Sequence, residues 1–273
     1  MRQRLGQHFL RDARAAARIV SALDPPAFAT VLEIGPGHGA LTVHLVDRCA
    51  HLVLVERDTA LVRELDRRWG ARSHVHLVEG DAARVNLCMI LPSGGGVFAV
   101  SNLPYEAATA ILMNLLRHRR LFSRLVLMFQ AEVARRIAAR PRTREYSALS
   151  AIVQAHCIVE SLFCVAPHQF EPPPDVQSRV LRLTPRPSDD PIARAAEDPS
   201  FADLAHALHA QPRKTVLNSL GVGLRRPRTS VQALLAEARI DPLVRPSDVS
   251  LEQVVTLWRV WRGIPDGHPP RDA

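Results

Sequence analysis

Val31-Leu32-Glu33-Ile34-Gly35-Pro36-Gly37-His38-Gly39-Ala40-Leu41-Thr42 is the stretch on which the reading of this chain turns. A short apolar run meets an acid, then three glycines at alternate positions, then a helix-like segment. Glycines permit a tight turn and let the backbone approach a ligand without a Cβ in the way. A strand that enters a helix through such a loop belongs to an open α/β sheet, whose ligands bind outside the carboxyl ends of the strands.

Working outward, four more runs rich in Val and Leu alternate with longer helical patterns: Leu52–Val55, Val75–Val78, Val97–Val100 and Leu125–Phe129. Near-continuous apolar strands separated by helices predict a parallel sheet covered on both faces. Two further strand-like runs, Ile158–Val165 and Arg179–Leu183, flank the Pro-rich loop 167–174 and predict a terminal antiparallel hairpin, for seven strands in all. Before the sheet, Phe9, Ala13, Ala16, Val20 and Leu23 recur at helical spacing, so an amphipathic helix is expected from Phe9 to the Pro25-Pro26 stop. Past Leu183 the strand signal ends. Thr184–Pro191 reads as a boundary, and helical patterns follow over 201–210, 215–220, 231–238 and 251–261. The expected division is a domain at 1–185, a linker at 186–198, a small all-helical domain at 199–262 and a disordered tail at 263–273.

The 273 residues carry 35 basic and 27 acidic side chains, a net charge of +8. Such an excess favours a polyanionic partner. Lys214 is the only lysine, and a chain so skewed to arginine also fits a GC-rich genome. No apolar run is long enough to span a bilayer, and the N-terminus lacks the apolar centre of a secretory signal. Cys49, Cys88, Cys157 and Cys164 show no Cys-x-x-Cys spacing, so neither a disulfide framework nor a metal site is expected. The expectation is a cytoplasmic protein with reduced thiols.

Glu56 closes the second strand, and Asp81 follows the third in Glu79-Gly80-Asp81-Ala82. An acid at the first position suits ribose hydroxyls, and one at the second suits an adenine amino group. NAD and S-adenosylmethionine both remain open on this pattern. The G-x-G-x-G spacing and the extra carboxylate of Glu33, which repels a pyrophosphate but tolerates a sulfonium, favour S-adenosylmethionine.

Ser101-Asn102-Leu103-Pro104-Tyr105 stands after the fourth strand. The exocyclic nitrogen of adenine is a poor nucleophile, because its lone pair is delocalised into the ring. The Asn102 side-chain oxygen and the Leu103 carbonyl can accept both of its protons and push it toward tetrahedral geometry. Pro104 stiffens the turn, and Tyr105 supplies a stacking face for an unstacked base.

These motifs occur in order with Gly6-Gln7-His8-Phe9-Leu10, Met128–Val133, Tyr146–Ser150 and the run 167–178. Together they resemble the rRNA adenine N6,N6-dimethyltransferase family over roughly Leu5 to Arg262, most of all its bacterial small-subunit members. The resemblance implies a seven-stranded, Rossmann-like S-adenosylmethionine-dependent methyltransferase domain with a small all-helical C-terminal domain. It implies dimethylation of two adjacent adenosines near the 3′ end of small-subunit rRNA, in an assembling 30S subunit. It also implies cofactor contacts at His8, Leu10, Gly35, Glu56, Asp81 and Asn102, beside Glu33 and Gly37 from the loop. Phe170 matches an aromatic that faces the target base opposite Tyr105. His8 replaces a frequent asparagine, Ser147 a frequent glycine, and Glu106 a neutral polar residue.

Arg135, Arg136, Arg140, Arg142 and Arg144 form one basic cluster; Arg213, Lys214, Arg225, Arg226 and Arg228 form another. Few carboxylates interleave them, so they read as phosphate contacts rather than as a solvated charged face. The Gln211–Thr215 segment and Asn218 resemble the part that grips ribosomal RNA. A monomer without metal is expected. Three other readings differ in substrate or class: a large-subunit rRNA adenine methyltransferase, an assembly factor acting by binding alone, and a DNA adenine methyltransferase.

Overall fold

A computed structural model describes residues 8–263. The described residues divide into two compact units, one formed by residues 8–134 and 160–185 and the other by 135–159 and 186–263.

The first unit is built on a seven-stranded sheet. In chain order its elements are β1 (Phe9–Leu10), α1 (Ala13–Leu23), β2 (Thr30–Ile34), α2 (Thr42–Leu45), β3 (His51–Glu56), α3 (Thr59–Trp69), β4 (Val75–Glu79), β5 (Val97–Asn102), α4 (Ala108–Arg117) and β6 (Phe122–Gln130). After α5 (Ala131–Ile137) and α6 (Ala148–His156) the chain returns as β7 (Cys157–Val165), β8 (Phe170–Glu171) and β9 (Ser178–Pro185). The strand order is β4-β3-β2-β5-β6-β9-β7. The first five of these are parallel, and β9 runs antiparallel to β6. All seven strands expected from the sequence are present. Order reverses at β2, which lies between β3 and β5, so the crevice of this sheet opens at the carboxyl ends of β2 and β5.

The N-terminal helix starts later than its periodicity suggests. Asp12 caps it, accepting a hydrogen bond from the Ala15 N–H at 2.8 Å, and α1 buries Ala16, Ile19, Val20 and Leu23. Each of the three larger side chains contributes about 1.5–3 kcal/mol by leaving water, enough to pin a helix of three turns. Phe9 and Leu10, expected inside the helix, instead form β1 and pair antiparallel with β8. Hydrophobic spacing alone cannot distinguish a helix start from a two-residue strand whose partner lies 160 positions away.

The second unit is helical. With α6 it contains α7 (Pro191–Glu197), α8 (Pro199–Leu208), α9 (Val216–Leu224), α10 (Arg228–Glu237) and α11 (Leu251–Arg262). Helix α6 packs on α7, α8 and α11, so residues 135–159 cluster here and not with the sheet domain to which the sequence reading assigned them. Periodicity shows which face of a helix is buried but not against what. The expected linker also differs, because residues 191–197 are helical. Asp190 caps this helix and Pro191 sits at its first position, where a missing N–H and a fixed φ favour initiation. At the core Phe201 meets Trp258 edge to face, and the Trp258 indole donates to Ser200 at 2.9 Å. Gly263 ends α11; the rest of the expected tail, 264–273, lies outside the described residues, as do Gly6 and Gln7. Among the described residues no helix is long and apolar enough to cross a membrane.

Candidate active site

A cavity of about 310 Å³ opens where the sheet order reverses. The glycine loop forms one wall. Gly35 and Gly37 both adopt positive φ, 61° and 57°, and the Gly35 N–H donates to the Val55 carbonyl at 2.9 Å. At Gly37 an added Cβ would lie 2.9 Å from the Phe9 ring, so only glycine admits the N-terminal strand here.

Glu56 holds the loop from the side. Its Oε1 accepts from the Arg57 and Asp58 N–H groups at 2.8 and 2.9 Å, and its Oε2 accepts from Gly37 at 3.2 Å. An ionised carboxylate accepts about four hydrogen bonds, so the spare capacity lies on Oε2. Asp81 lines the same cavity, with Oδ1 accepting from the Ala83 N–H at 2.9 Å. The sequence reading missed its support. Buried Asn114 on α4 donates through Nδ2 to the Ala82 and Val85 carbonyls, both at 2.9 Å, and so fixes the loop that presents Asp81. An amide on the apolar face of a helix was the available signal.

Asn102, Leu103, Pro104 and Tyr105 line the opposite wall. Leu103 lines the cavity although the residue as a whole is 1% exposed. Asn102 Nδ2 donates to the His8 carbonyl at 3.1 Å. Among the described residues no group engages Asn102 Oδ1 or the Leu103 carbonyl. The Tyr105 hydroxyl is tied to Ser178 Oγ at 2.7 Å, and burial raises its pKa, so it is a neutral phenol. The His8 ring stands 5.3 Å from the Tyr105 ring, centroid to centroid. Glu106, exposed, lines the rim.

Three expected site residues do not line this cavity. Leu10 and Phe170 are register partners in the β1–β8 pair, and both are buried in the core. Phe170 therefore does not face a base opposite Tyr105. Alternation along the strand explains this, since Leu10 and Phe170 share the inward face and their neighbours take the other. Phe9, not singled out from the sequence, is the residue of that pair that reaches the cavity. Glu33 is 1% exposed beneath the loop, where its Oε2 accepts from the Thr42 hydroxyl at 2.8 Å. Burial pushes its carboxyl up to about 8. It braces the loop as a largely protonated acid near neutral pH and presents no carboxylate to the cavity.

Comparison with known proteins sets this geometry in a family. Residues 1–261 match the family model described as ribosomal RNA adenine dimethylase. The chain belongs to that family. It is 38% identical over 257 residues to the ribosomal RNA small subunit methyltransferase A of Acidobacterium capsulatum, covering 94% of this chain and 89% of that one. Identity to the protein of the same name from Pseudomonas aeruginosa is also 38%, over 94% and 92% of the two chains. Among solved structures, a Plasmodium falciparum dimethyladenosine transferase shares the fold, with a TM-score of 0.73 at 24% identity over 92% of this chain and 96% of that one. The 23S rRNA methyltransferase ErmE gives 0.66 at 26% identity, over 92% and 98%.

In this dimethylase the expected basic residues lie in the helical unit. Arg135, Arg136, Arg142 and Arg144 are exposed, as are Arg213, Lys214, Arg225, Arg226 and Arg228. None forms an ion pair with a carboxylate among the described residues. Lys214, Arg226 and Arg228 line a second concavity of about 470 Å³ with Gln211, Leu217 and Asn218. Arg228 donates to Asn218 Oδ1 at 3.4 Å. Ser147 starts α6, its N–H donating to Ser150 Oγ at 3.0 Å.

Proposed function

We propose that this dimethylase transfers methyl groups from S-adenosylmethionine to N6 of two adjacent adenosines near the 3′ end of small-subunit rRNA. It acts as a cytoplasmic monomer on the assembling 30S subunit. The observation that carries the reading is the wall at Asn102: an amide whose oxygen no group engages among the described residues, on a residue that lines a glycine-walled acidic cavity.

The cavity fits the cofactor by its donor set. Glu56 Oε2 would accept from a ribose hydroxyl, Asp81 from the adenine amino group, and the Gly35–Gly37 turn would lie against the ligand with no Cβ in the way. S-adenosylmethionine supplies, when bound, a methyl carbon made electrophilic by its sulfonium leaving group. The protein's part is alignment. Asn102 Oδ1 and the Leu103 carbonyl accept the two N6 protons of the target adenine and draw its lone pair out of the ring. Tyr105, tethered by Ser178, offers a stacking face to the base. An amino group held this way would become cationic on methylation and so acidic enough to lose its proton, which asks no strong base of the protein.

The names of the relatives support the small subunit as substrate, and the exposed basic residues of the helical unit that ion-pair with no carboxylate among the described residues, Arg213 and Lys214 among them, support phosphate contacts there. The decisive experiment supplies labelled S-adenosylmethionine with undermethylated small subunits and maps dimethyladenosine by mass spectrometry. Asn102→Ala should abolish transfer while sparing RNA binding. Label confined to large-subunit rRNA or duplex DNA overturns the substrate, and full activity in the variant overturns the mechanism.

A further inference from the structure

The N-terminal strand and the Asn102 wall meet at one hydrogen bond, between residues 94 positions apart, in which Asn102 Nδ2 donates to the His8 carbonyl. An amide side chain has a donating end and an accepting end, and its neighbours decide which way it faces. A carbonyl only accepts. The bond to His8 therefore fixes Nδ2 toward β1 and leaves Oδ1 for the cavity. Rotated by half a turn, Asn102 would set N–H against the amino group of a base and could not accept its proton.

The His8 carbonyl is itself fixed from several sides. The His8 ring donates through Nδ1 to the Pro172 carbonyl at 2.8 Å; because that partner only accepts, Nδ1 carries the proton. Directly after it, Phe9 pairs with Glu171 and Leu10 with Phe170. The Arg11 and Asp12 N–H groups both donate to the Gln169 carbonyl, at 2.9 and 3.3 Å. Phe9 packs against His38, with ring centroids 4.6 Å apart.

We infer that His8 is a positioning residue for methyl transfer: its ring anchors the chain to Pro172, so that its carbonyl selects the orientation of the Asn102 amide. This rests on the reading of Asn102 as the acceptor for the substrate amine. It goes beyond a cofactor contact at His8, because a contact of that kind would affect affinity for S-adenosylmethionine and leave the amide untouched.

The test follows the Asn102 side-chain NH₂ signals in the ¹⁵N-labelled full chain without ligand, identified by their loss in Asn102→Ser. In His8→Ala these signals should shift. The single-turnover rate at saturating S-adenosylmethionine and RNA should fall about tenfold, a loss that persists at saturation whatever the change in KM for S-adenosylmethionine, as expected for lost alignment. His8→Asn, which restores an N–H donor toward Pro172, should recover both. Thermal unfolding of the two variants separates this from a folding defect, and His8→Gln replaces His8→Ala if the latter does not fold. Unmoved NH₂ signals, or a loss confined to KM for S-adenosylmethionine, overturn the inference. If the wild type labels no adenosine at all, the reading of the site fails, whereas the NH₂ signals still decide whether His8 orients Asn102.

Discussion

The Ser101 hydroxyl donates to the Ile34 carbonyl at 2.6 Å, joining the ends of β5 and β2 just where each strand gives way to its site loop. Both residues are buried, Ser101 completely. The bond carries the β2–β5 ladder, whose last paired residues are Glu33 and Val100, up to the point where the glycine loop and the Asn102 wall begin. Ser101→Ala should destabilise the protein by about 1–3 kcal/mol, the usual effect of removing a buried hydrogen bond. It should also slow single-turnover methyl transfer. Urea unfolding beside the transfer assay checks this, and unchanged values in both would show the bond to be dispensable.

Gly37 makes a second strict demand. Alanine there must hold a left-handed conformation, at a cost of about 1–2 kcal/mol, and must displace the Phe9 ring. Gly37→Ala should weaken binding of S-adenosylhomocysteine about tenfold or more, equivalent to ~1.4 kcal/mol, by calorimetry.

Asn114 acts at a distance from the cavity. Asn114→Ala leaves the Ala82 and Val85 carbonyls without their buried donor, so the Asp81 loop should loosen. The expected result is a several-fold loss of S-adenosylhomocysteine affinity, with RNA affinity unchanged. Equal affinity in variant and wild type would show that the loop holds itself.

Two buried groups bend the stability curve in opposite directions. The Glu33 carboxyl is raised by burial from 4.5 to about 8, so the folded state binds the extra proton between those values. Stability contributed by protonated Glu33 is lost as pH rises through that window. His209 is lowered by burial, with a smaller push from His206, from 6.5 to about 4; both its ring nitrogens are buried without a hydrogen-bond partner among the described residues. Here the unfolded state binds the extra proton, and stability falls as pH drops from 6.5 toward 4. Glu33→Gln should therefore gain on the wild type as pH rises from 4.5 to 8, and His209→Leu should gain as pH falls below 6.5. Urea titrations across this range measure both slopes.

For the basic surface, the double variant Arg213→Glu and Lys214→Glu should bind small-subunit rRNA more weakly. The slope of log affinity against log salt should become shallower by roughly one per lost phosphate contact. An unchanged slope would mark these residues as surface charge only.

Local chemistry made much of this legible in advance. The strand-and-helix alternation, the positive-φ glycines at 35 and 37, and the acids at 56 and 81 follow from short-range periodicity and turn sterics. The same holds for the turn at Asn102–Tyr105. Two helix starts differ from the sequence expectation for local reasons as well: Asp190-Pro191 has the composition of a break and is a cap followed by an initiating proline, and Asp12 caps α1 inside the apolar periodicity that begins at Phe9.

By itself, then, the amino-acid order determined the parallel sheet, the glycine loop, the Asn102–Tyr105 turn and the family, because each strand, loop and motif is written within a dozen neighbouring residues. Only the tertiary structure decided that Phe170 packs with Leu10 inside the core, that Glu33 is a buried brace, that residues 135–159 cluster with the helices, and that the His8 carbonyl accepts from Asn102. The Phe170 and Asn102 placements depend on partners 160 and 94 positions away, and the clustering of residues 135–159 on helices that follow only after the last strand. Which partner a buried face or an amide end finds is settled by packing and hydrogen-bond satisfaction over the whole fold, and no local pattern encodes it.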